Sequence, residues 1–368
     1  MGASINKAVR LTLFGESHGP LIGATLDGLA PGLKLDLDFI RSCLKKRSPQ
    51  KGISTTREEV DEIQFVSGYY NHHTTGGPLT MLIENKNTQS KDYDALKQVY
   101  RPGHADYSGE AKYLGFEDER GSGAFSGRMT VAIVAAGAIA LSILKEKHIE
   151  IATHIYKVMD LRDSCFANKE AVLLRQIQSL AKKDFPALDD TFKDKVKDLI
   201  LKTKENGDSL GAVMQSAVLG LSPGLGEPFF DSVESVLAHL LFSIPGLKGL
   251  EFGSGFDFAN HSGFEVRDEW VMEGRVKTKS NHNGGLNGGI TNGMPVVFQS
   301  VIKPTSSIAK AQATIKRDTK EATLLAIEGR HDPAIFPRAA IIIDALTALG
   351  ILDLLTLRFG YLNQRSEG

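Results

Sequence analysis

Cysteine is scarce in this chain: Cys43 and Cys165 are the only two in 368 residues, in unrelated contexts and without paired spacing. That argues against a disulfide framework and against a zinc or other metal site built on cysteines, and it fits a reducing compartment. A charge excess is missing too, because 43 Lys and Arg meet 44 Asp and Glu for a formal net charge of −1. No polycationic surface follows from that balance, so no nucleic-acid partner is expected. The opening MGASINKAVRLTLFGES lacks the charged-then-apolar order of a signal peptide, and Asn6 stands where a myristoylation start requires Ser or Thr. The apolar run from Ala339 to Leu357 is broken by Asp344, Thr347, Gly350 and Asp353, so no membrane span and no membrane partner is expected. A cytoplasmic location follows as the expectation. Repeats, low-complexity tracts and Pro/Ser linkers are absent, and the charged stretch 183–208 is the best candidate for a boundary. One interleaved domain over residues 1–368 is preferred. What remains is 42% hydrophobic and 24% charged, the composition of a globular protein with a sizeable core.

Arg101 to Thr130 is the most informative stretch. A Pro-Gly turn carries His104 and Asp106, a glycine-rich run covers residues 121–127, and the apolar Val131 to Lys145 reads as a buried helix. Free N–H groups and the positive dipole end at such a start suit an anion, and Arg128 adds a fork of donors. An ordinary helix cap beside a solvated histidine satisfies the same residues equally well.

Other clusters punctuate the chain. Val9 to Phe14 and Leu21 to Leu29 read as strands, with Gly15-Glu16-Ser17-His18-Gly19 between them as a loop or a plain hairpin tip. Asp36 to Arg47 reads as a helix whose last-turn cations complement its dipole. Strands are expected at Ile63 to Ser67 and Pro78 to Glu84, around a loop in which His72 and His73 point apart and hold no metal. Ala171 to Lys182 and Phe192 to Lys204 are amphipathic, lysine-rich helices of an outer layer. Gly211 to Leu219 is a strand. Ser232 to Phe242 is a helix with His239 as a core histidine. Asn281 to Gly293 is dense in glycine, so its backbone adopts left-handed angles or admits something close. The strand Pro295 to Ile302 follows, then Lys303-Pro304-Thr305-Ser306-Ser307, a cation and hydroxyls suited to a phosphate-bearing ligand. These glycines match neither dinucleotide nor P-loop spacing. Gly329-Arg330-His331-Asp332-Pro333 then precedes a helix from Arg338 to Arg358, either as a helix-entry loop with a local ion pair or as a charged site element.

Taken together, these clusters, in this order, resemble the chorismate synthase family nearly end to end. The resemblance implies an α+β fold, a β-α-β sandwich forming homotetramers. It implies a carbon–oxygen lyase: the 1,4-anti elimination of phosphate from 5-enolpyruvylshikimate 3-phosphate to chorismate, the last shikimate-pathway step towards aromatic amino acids. Reduced FMN is implied as the cofactor, with no metal, and an external flavin reductase as the electron source. By position, His104 is similar to the acid for the departing phosphate, His18 to the proton donor to the flavin, and Asp332 to the carboxylate that helps remove the C6 proton. Ala124, Phe125, Ser126, Gly288, Lys303, Pro304, Thr305, Ser306, Ser307 and Arg330 match flavin positions, and Arg47, Arg128 and Arg338 match substrate positions. Many relatives carry Gly-Gly-Gly-Arg-Ser-Ser-Ala-Arg where this chain has GSGAFSGR, so Ala124 and Phe125 replace an arginine and a serine. Ile53 replaces a further arginine, with Lys51 or Arg57 as substitutes. A flavin-binding protein without turnover and a metal-dependent hydrolase are the competing classes. The second lacks any HExxH-like spacing.

Overall fold

The computed structural model describes residues 2–50, 53–54, 61–86, 98–327 and 332–365. Its first layer contains β1 (Ser4–Ile5), β2 (Arg10–Gly15), β3 (Leu21–Asp27) and β4 (Ile63–Ser67). A small hairpin of β5 (Tyr69–Tyr70) and β6 (His73–Thr74) then leads to β7 (Leu79–Glu84). The sheet order is β1-β2-β3-β7-β4, with antiparallel neighbours throughout. Ile22, Ala24 and Leu26 of β3 face Ile83, Met81 and Leu79 of β7 across the register, and all six are buried. Every second residue therefore enters the core, as the period of a strand requires.

The second layer contains β8 (Glu150–Val158), β9 (Leu161–Arg162), β10 (Ala212–Leu219) and β11 (Leu247–Phe252). Two hairpins follow, β12 (Trp270–Glu273) with β13 (Arg275–Thr278) and β14 (Leu286–Asn287) with β15 (Ile290–Thr291), before β16 (Val296–Ile302). The order is β11-β16-β10-β8-β9, again antiparallel. A last hairpin, β17 (Gln312–Ile315) with β18 (Ala322–Leu325), stands apart from both sheets.

Among the described residues seven α-helices accompany the two sheets. These are α1 (Leu37–Arg47), α2 (Asp106–Tyr113), α3 (Thr130–Glu146), α4 (Glu170–Ala181), α5 (Asp190–Glu205), α6 (Val233–Leu241) and α7 (Phe336–Phe359). Helix α3 packs on β3 and on β8, one strand from each sheet, while α7 packs along α3 and against β8 and β10. The architecture is an α+β fold, sheet–helix–sheet. Helices covered on both sides need apolar residues all round, which is the composition of α3 and α7. By length and composition each could cross a bilayer, a possibility the interrupted run from Ala339 did not suggest; both are mostly buried inside the protein. Their crossing is tight: a Cβ on Gly137 would lie 2.5 Å from the Ala345 Cα, so only glycine lets the two backbones meet. Outside the second sheet, α4 buries Leu173, Ile177 and Leu180. Helix α5 buries Phe192, Val196 and Ile200 in the same core as α3 and α7, so the charged stretch 183–208 is packed rather than a linker.

Polar groups enter this apolar layer along α7, among them Thr347, Asp353 and Asp344. The Oδ1 of Asp344, mid-α7, is shut off from solvent and has no hydrogen-bond partner among the described residues. Burial pushes the carboxyl up to about 7, against a hydrogen bond from Thr153 and the charge of Lys46. An unfolded aspartate titrates near ~3.9, so the folded state holds the extra proton between those values and stability falls as pH rises through that window. The loss is on the order of 2–4 kcal/mol, reduced by the partial solvent access of the residue. Urea unfolding at pH 5 and pH 8 should show this drop in the wild type and a flatter response in Asp344→Asn. An unchanged pH dependence in the variant would remove the assignment.

Candidate functional site

The Arg101–His104 turn is closed by a hydrogen bond from the His104 N–H to the Arg101 carbonyl, and Gly103 takes a left-handed angle at φ 69°. Asp106, expected in the same loop, is instead the first residue of α2, where a carboxylate also favours the helix dipole. Its Oδ1 lies 2.6 Å from the His104 Nδ1. Arg101 donates to the same carboxylate from its backbone N–H, its Nε and its Nη2, at 2.9, 2.9 and 2.6 Å. Burial raises the Asp106 carboxyl, but the hydrogen bonds from His104 and Arg101 outweigh it and hold the group well below the usual carboxylate range. A carboxylate only accepts, so the Nδ1 carries the hydrogen and the 3.1 Å approach of the Arg101 Nη2 to it is contact rather than donation. The His104 Nε2 has no hydrogen-bond partner among the described residues.

Lys303, at the end of β16, reaches this turn. Its Nζ donates to the Gly103 carbonyl and, at 3.3 Å, to the Ser306 hydroxyl, which itself donates to the Gly103 carbonyl at 2.7 Å. No carboxylate partners the Lys303 ammonium among the described residues. Thr305 donates to the Asp332 carbonyl at 3.0 Å, and its own carbonyl accepts from Ser209 at 2.8 Å. Asp332 pairs with Arg338 in the first turn of α7. Burial raises its carboxyl above the ordinary value despite the Arg338 charge. The β17–β18 hairpin joins Lys303–Ser307 to Asp332 in the chain and docks on Tyr100 through the Thr314 hydroxyl and the Ile315 carbonyl. His104, Lys303, Ser306, Thr305, Asp332 and Arg338 thus belong to one connected cluster.

His18 lies in the β2–β3 loop against the glycine run. A Cβ on Gly121 would sit 2.3 Å from its ring, and the Ser17 N–H donates to the Gly123 carbonyl at 3.3 Å. Gly121, Ser122 and Gly123 all take left-handed angles, so the run is a turn and does not open directly into α3. Ser126 caps the following turn by accepting from the Arg128 N–H at 3.2 Å, a structural use of its hydroxyl. The Phe125 ring covers Gly109 of α2, where a Cβ would come within 2.8 Å, and Ala124 is exposed. Arg47 and Arg128 converge on Asp61, at 3.4 and 2.5 Å. Arg128 also donates to Asn85, whose amide donates to the Glu16 and Gly19 carbonyls and so ties the arginine to the His18 loop.

The other sequence-derived positions fall differently. Gly288 forms the left-handed turn between β14 and β15 with Gly289, which docks on Ser232 at the start of α6. Gly284 and Gly285 of the same loop approach Val297 and Pro295, at the start of β16, whereas Lys303 follows its end. Pro304 packs against Gly211, and Ser307 follows in the same segment. Gly329, Arg330 and His331 lie outside the described residues, as do Lys51 and Arg57. His239 is exposed in the last turn of α6, so the core position expected for it is incorrect; the buried face of that helix is Val233, Leu237, Leu240 and Leu241. Among the described residues no group of three or more His, Cys, Asp or Glu could hold a metal ion. Asp61, Asn85 and Ser122 escaped the sequence reading because no local pattern marks them. Arg101 stood in a quoted motif, but nothing in its spacing announced that it faces Asp106.

The family profile described as chorismate synthase matches residues 9–356. Chorismate synthases of Korarchaeum cryptofilum and Dehalococcoides mccartyi are 38% and 40% identical to the chain over 356 residues, 96% of it in both cases and 97% and 96% of the relatives. A solved crystal structure of a chorismate synthase superposes with a TM-score of 0.76 at 27% identity, over 97% of this chain and 94% of that one.

Proposed function

The chain belongs to the chorismate synthase family, and from that membership we propose that it converts 5-enolpyruvylshikimate 3-phosphate to chorismate by 1,4-anti elimination of phosphate, with reduced FMN bound. The observation that carries this reading is the join between Lys303 and the His104 turn. It sets an ammonium without a carboxylate partner among the described residues beside a histidine whose Nε2 is available, the donor set for releasing a phosphate. His104 holds a proton at its Nε2 for the leaving oxygen. Arg47 and Arg128 bind the anionic substrate near the His18 loop, and the Asp332 carboxylate, which burial makes more basic, is suited to take up the C6 proton while Arg338 orients it.

The residues present fit a phosphate-bearing flavin: Lys303, Thr305, Ser306 and Ser307 form a compact set of donors without a competing carboxylate among the described residues. Reduced FMN, when bound, supplies electron density that assists the C–O cleavage. Because Ala124 and Phe125 offer no charge or hydroxyl, the flavin phosphate leans on Lys303. Losing one charged hydrogen-bond partner costs about 1.5–3 kcal/mol, so Lys303→Ala should weaken FMN roughly tenfold or more in a fluorescence titration. An unchanged dissociation constant would count against this role.

The assembly is read as a homotetramer in the cytoplasm, supplied by a separate flavin reductase. Phe229, Phe230, Phe256 and Trp270 stand exposed, which supports burial against further copies. Light scattering that gave the mass of a monomer would remove that part of the reading.

A further inference from the structure

We propose that Asp106, backed by Arg101, is a positioning residue that fixes the orientation of the His104 ring and balances its charge when both nitrogens are protonated; this rests on the reading of His104 as the acid for the departing phosphate. The short contact is between the Asp106 Oδ1 and the His104 Nδ1, at 2.6 Å. An imidazole held at its Nδ1 by a carboxylate can exchange a proton only through its Nε2, so the carboxylate decides which nitrogen faces the substrate. Three hydrogen bonds from Arg101 keep Asp106 in one rotamer and keep it ionised, so it orients the ring without taking its proton. Arg101 also donates to the Ser122 hydroxyl at 3.1 Å. Ser122 has φ 70°, an angle L-residues rarely adopt, inside the turn that packs on His18. One buried guanidinium therefore sets His104 through Asp106 and the His18 turn through Ser122. Arg101 and Asp106 are spent on each other, on His104 and on Ser122, so the pair acts through those neighbours.

Asp106→Asn keeps the size but removes the negative charge that balances a ring protonated at both nitrogens, so the ring that must deliver the Nε2 proton is no longer held charged and in place. In the Ser-His-Asp hydrolase used as the general template, that exchange lowers kcat about 10⁴-fold; a fall of roughly 10²–10⁴-fold is expected here. The KM for the substrate and the dissociation constant of FMN should change by less than about threefold, because the carboxylate touches neither ligand. A second comparison separates positioning from plain structural support. If Asp106 acts through His104, Asp106→Asn combined with His104→Ala should be no slower than His104→Ala alone, since groups that act as one unit are non-additive. Multiplied losses in the double variant, or Asp106→Asn at near-wild-type kcat, would overturn the proposal. A folded wild-type protein with no chorismate synthase activity would instead overturn the functional reading. Circular dichroism and thermal unfolding of each variant identify one that has failed to fold, and in that event Ser122→Gly tests the second arm. Removing the hydroxyl that Arg101 holds should leave the His104-dependent kcat within about threefold while relaxing the turn against His18; a loss as large as that of His104→Ala would overturn the assignment of His104 to Asp106.

Discussion

Chorismate formation by the purified chain is expected to vanish when FMN is oxidised or omitted and to appear when it is supplied reduced. The elimination must release phosphate from one carbon and a proton from another that no neighbouring carbonyl acidifies. His18, His104 and Asp332 can move protons, and Lys303, Arg47 and Arg128 can steady negative charge. None of these side chains donates electrons, so acid–base catalysis covers only part of the barrier. Anaerobic assays with dithionite-reduced FMN, oxidised FMN and no flavin, following chorismate by absorbance, make the comparison directly. Turnover at equal rates in all three would end the reading that reduced FMN is required. NADPH alone is expected to leave FMN oxidised, because the glycine clusters carry no dinucleotide spacing. Reduction of FMN by NADPH and the pure protein would remove the need for a separate reductase.

His104→Ala, His18→Ala and Asp332→Asn are each expected to slow turnover by about 10²–10⁴-fold while the fold persists, the usual range for general acid–base groups. His104 is met by the Asp106 carboxylate and His18 by the Gly121 turn, which fits separate steps. Their double variant should then show losses close to the product of the single ones. Asp332→Asn keeps a hydrogen bond to Arg338 but removes the proton acceptor, so it should lower kcat with little change in FMN affinity. Near-wild-type rates in all three single variants, with substrate and FMN still bound, would return these residues to the status of loop side chains.

Much of the scaffold could be read from the chain because its signals are local. Asp36 accepts from the Phe39 N–H at 2.9 Å as the cap that opens α1, and the strands β4 and β7 alternate as their sequences do. The buried helix after the glycine run appears as α3, one residue longer at each end than the apolar segment. Less legible were elements whose residues make sense only through distant partners. Helix α2 hides in a polar stretch and depends on Arg101 and on the Phe125 ring over Gly109. The β17–β18 hairpin reads as polar loop until Tyr100 and Val99 supply its docking surface. For the site, the quoted motifs contained His18, His104, Lys303 and Asp332. The partners that arrange their neighbours, Asp61 and Asn85, come from segments without any pattern of their own.

The place of α7 bears on how the chain is made. It leaves the ribosome after the strands of both sheets, yet it occupies the middle of the sandwich, against α3 and under β8 and β10. Until it emerges, the inner face of the second sheet lacks much of its cover, and nascent chains wait with apolar strands open to solvent. Synthesis runs at about 5–20 residues per second, so that interval lasts tens of seconds for the earliest strands. Chaperone occupancy during translation, more than equilibrium stability, then sets how much of this protein a cell recovers in soluble form.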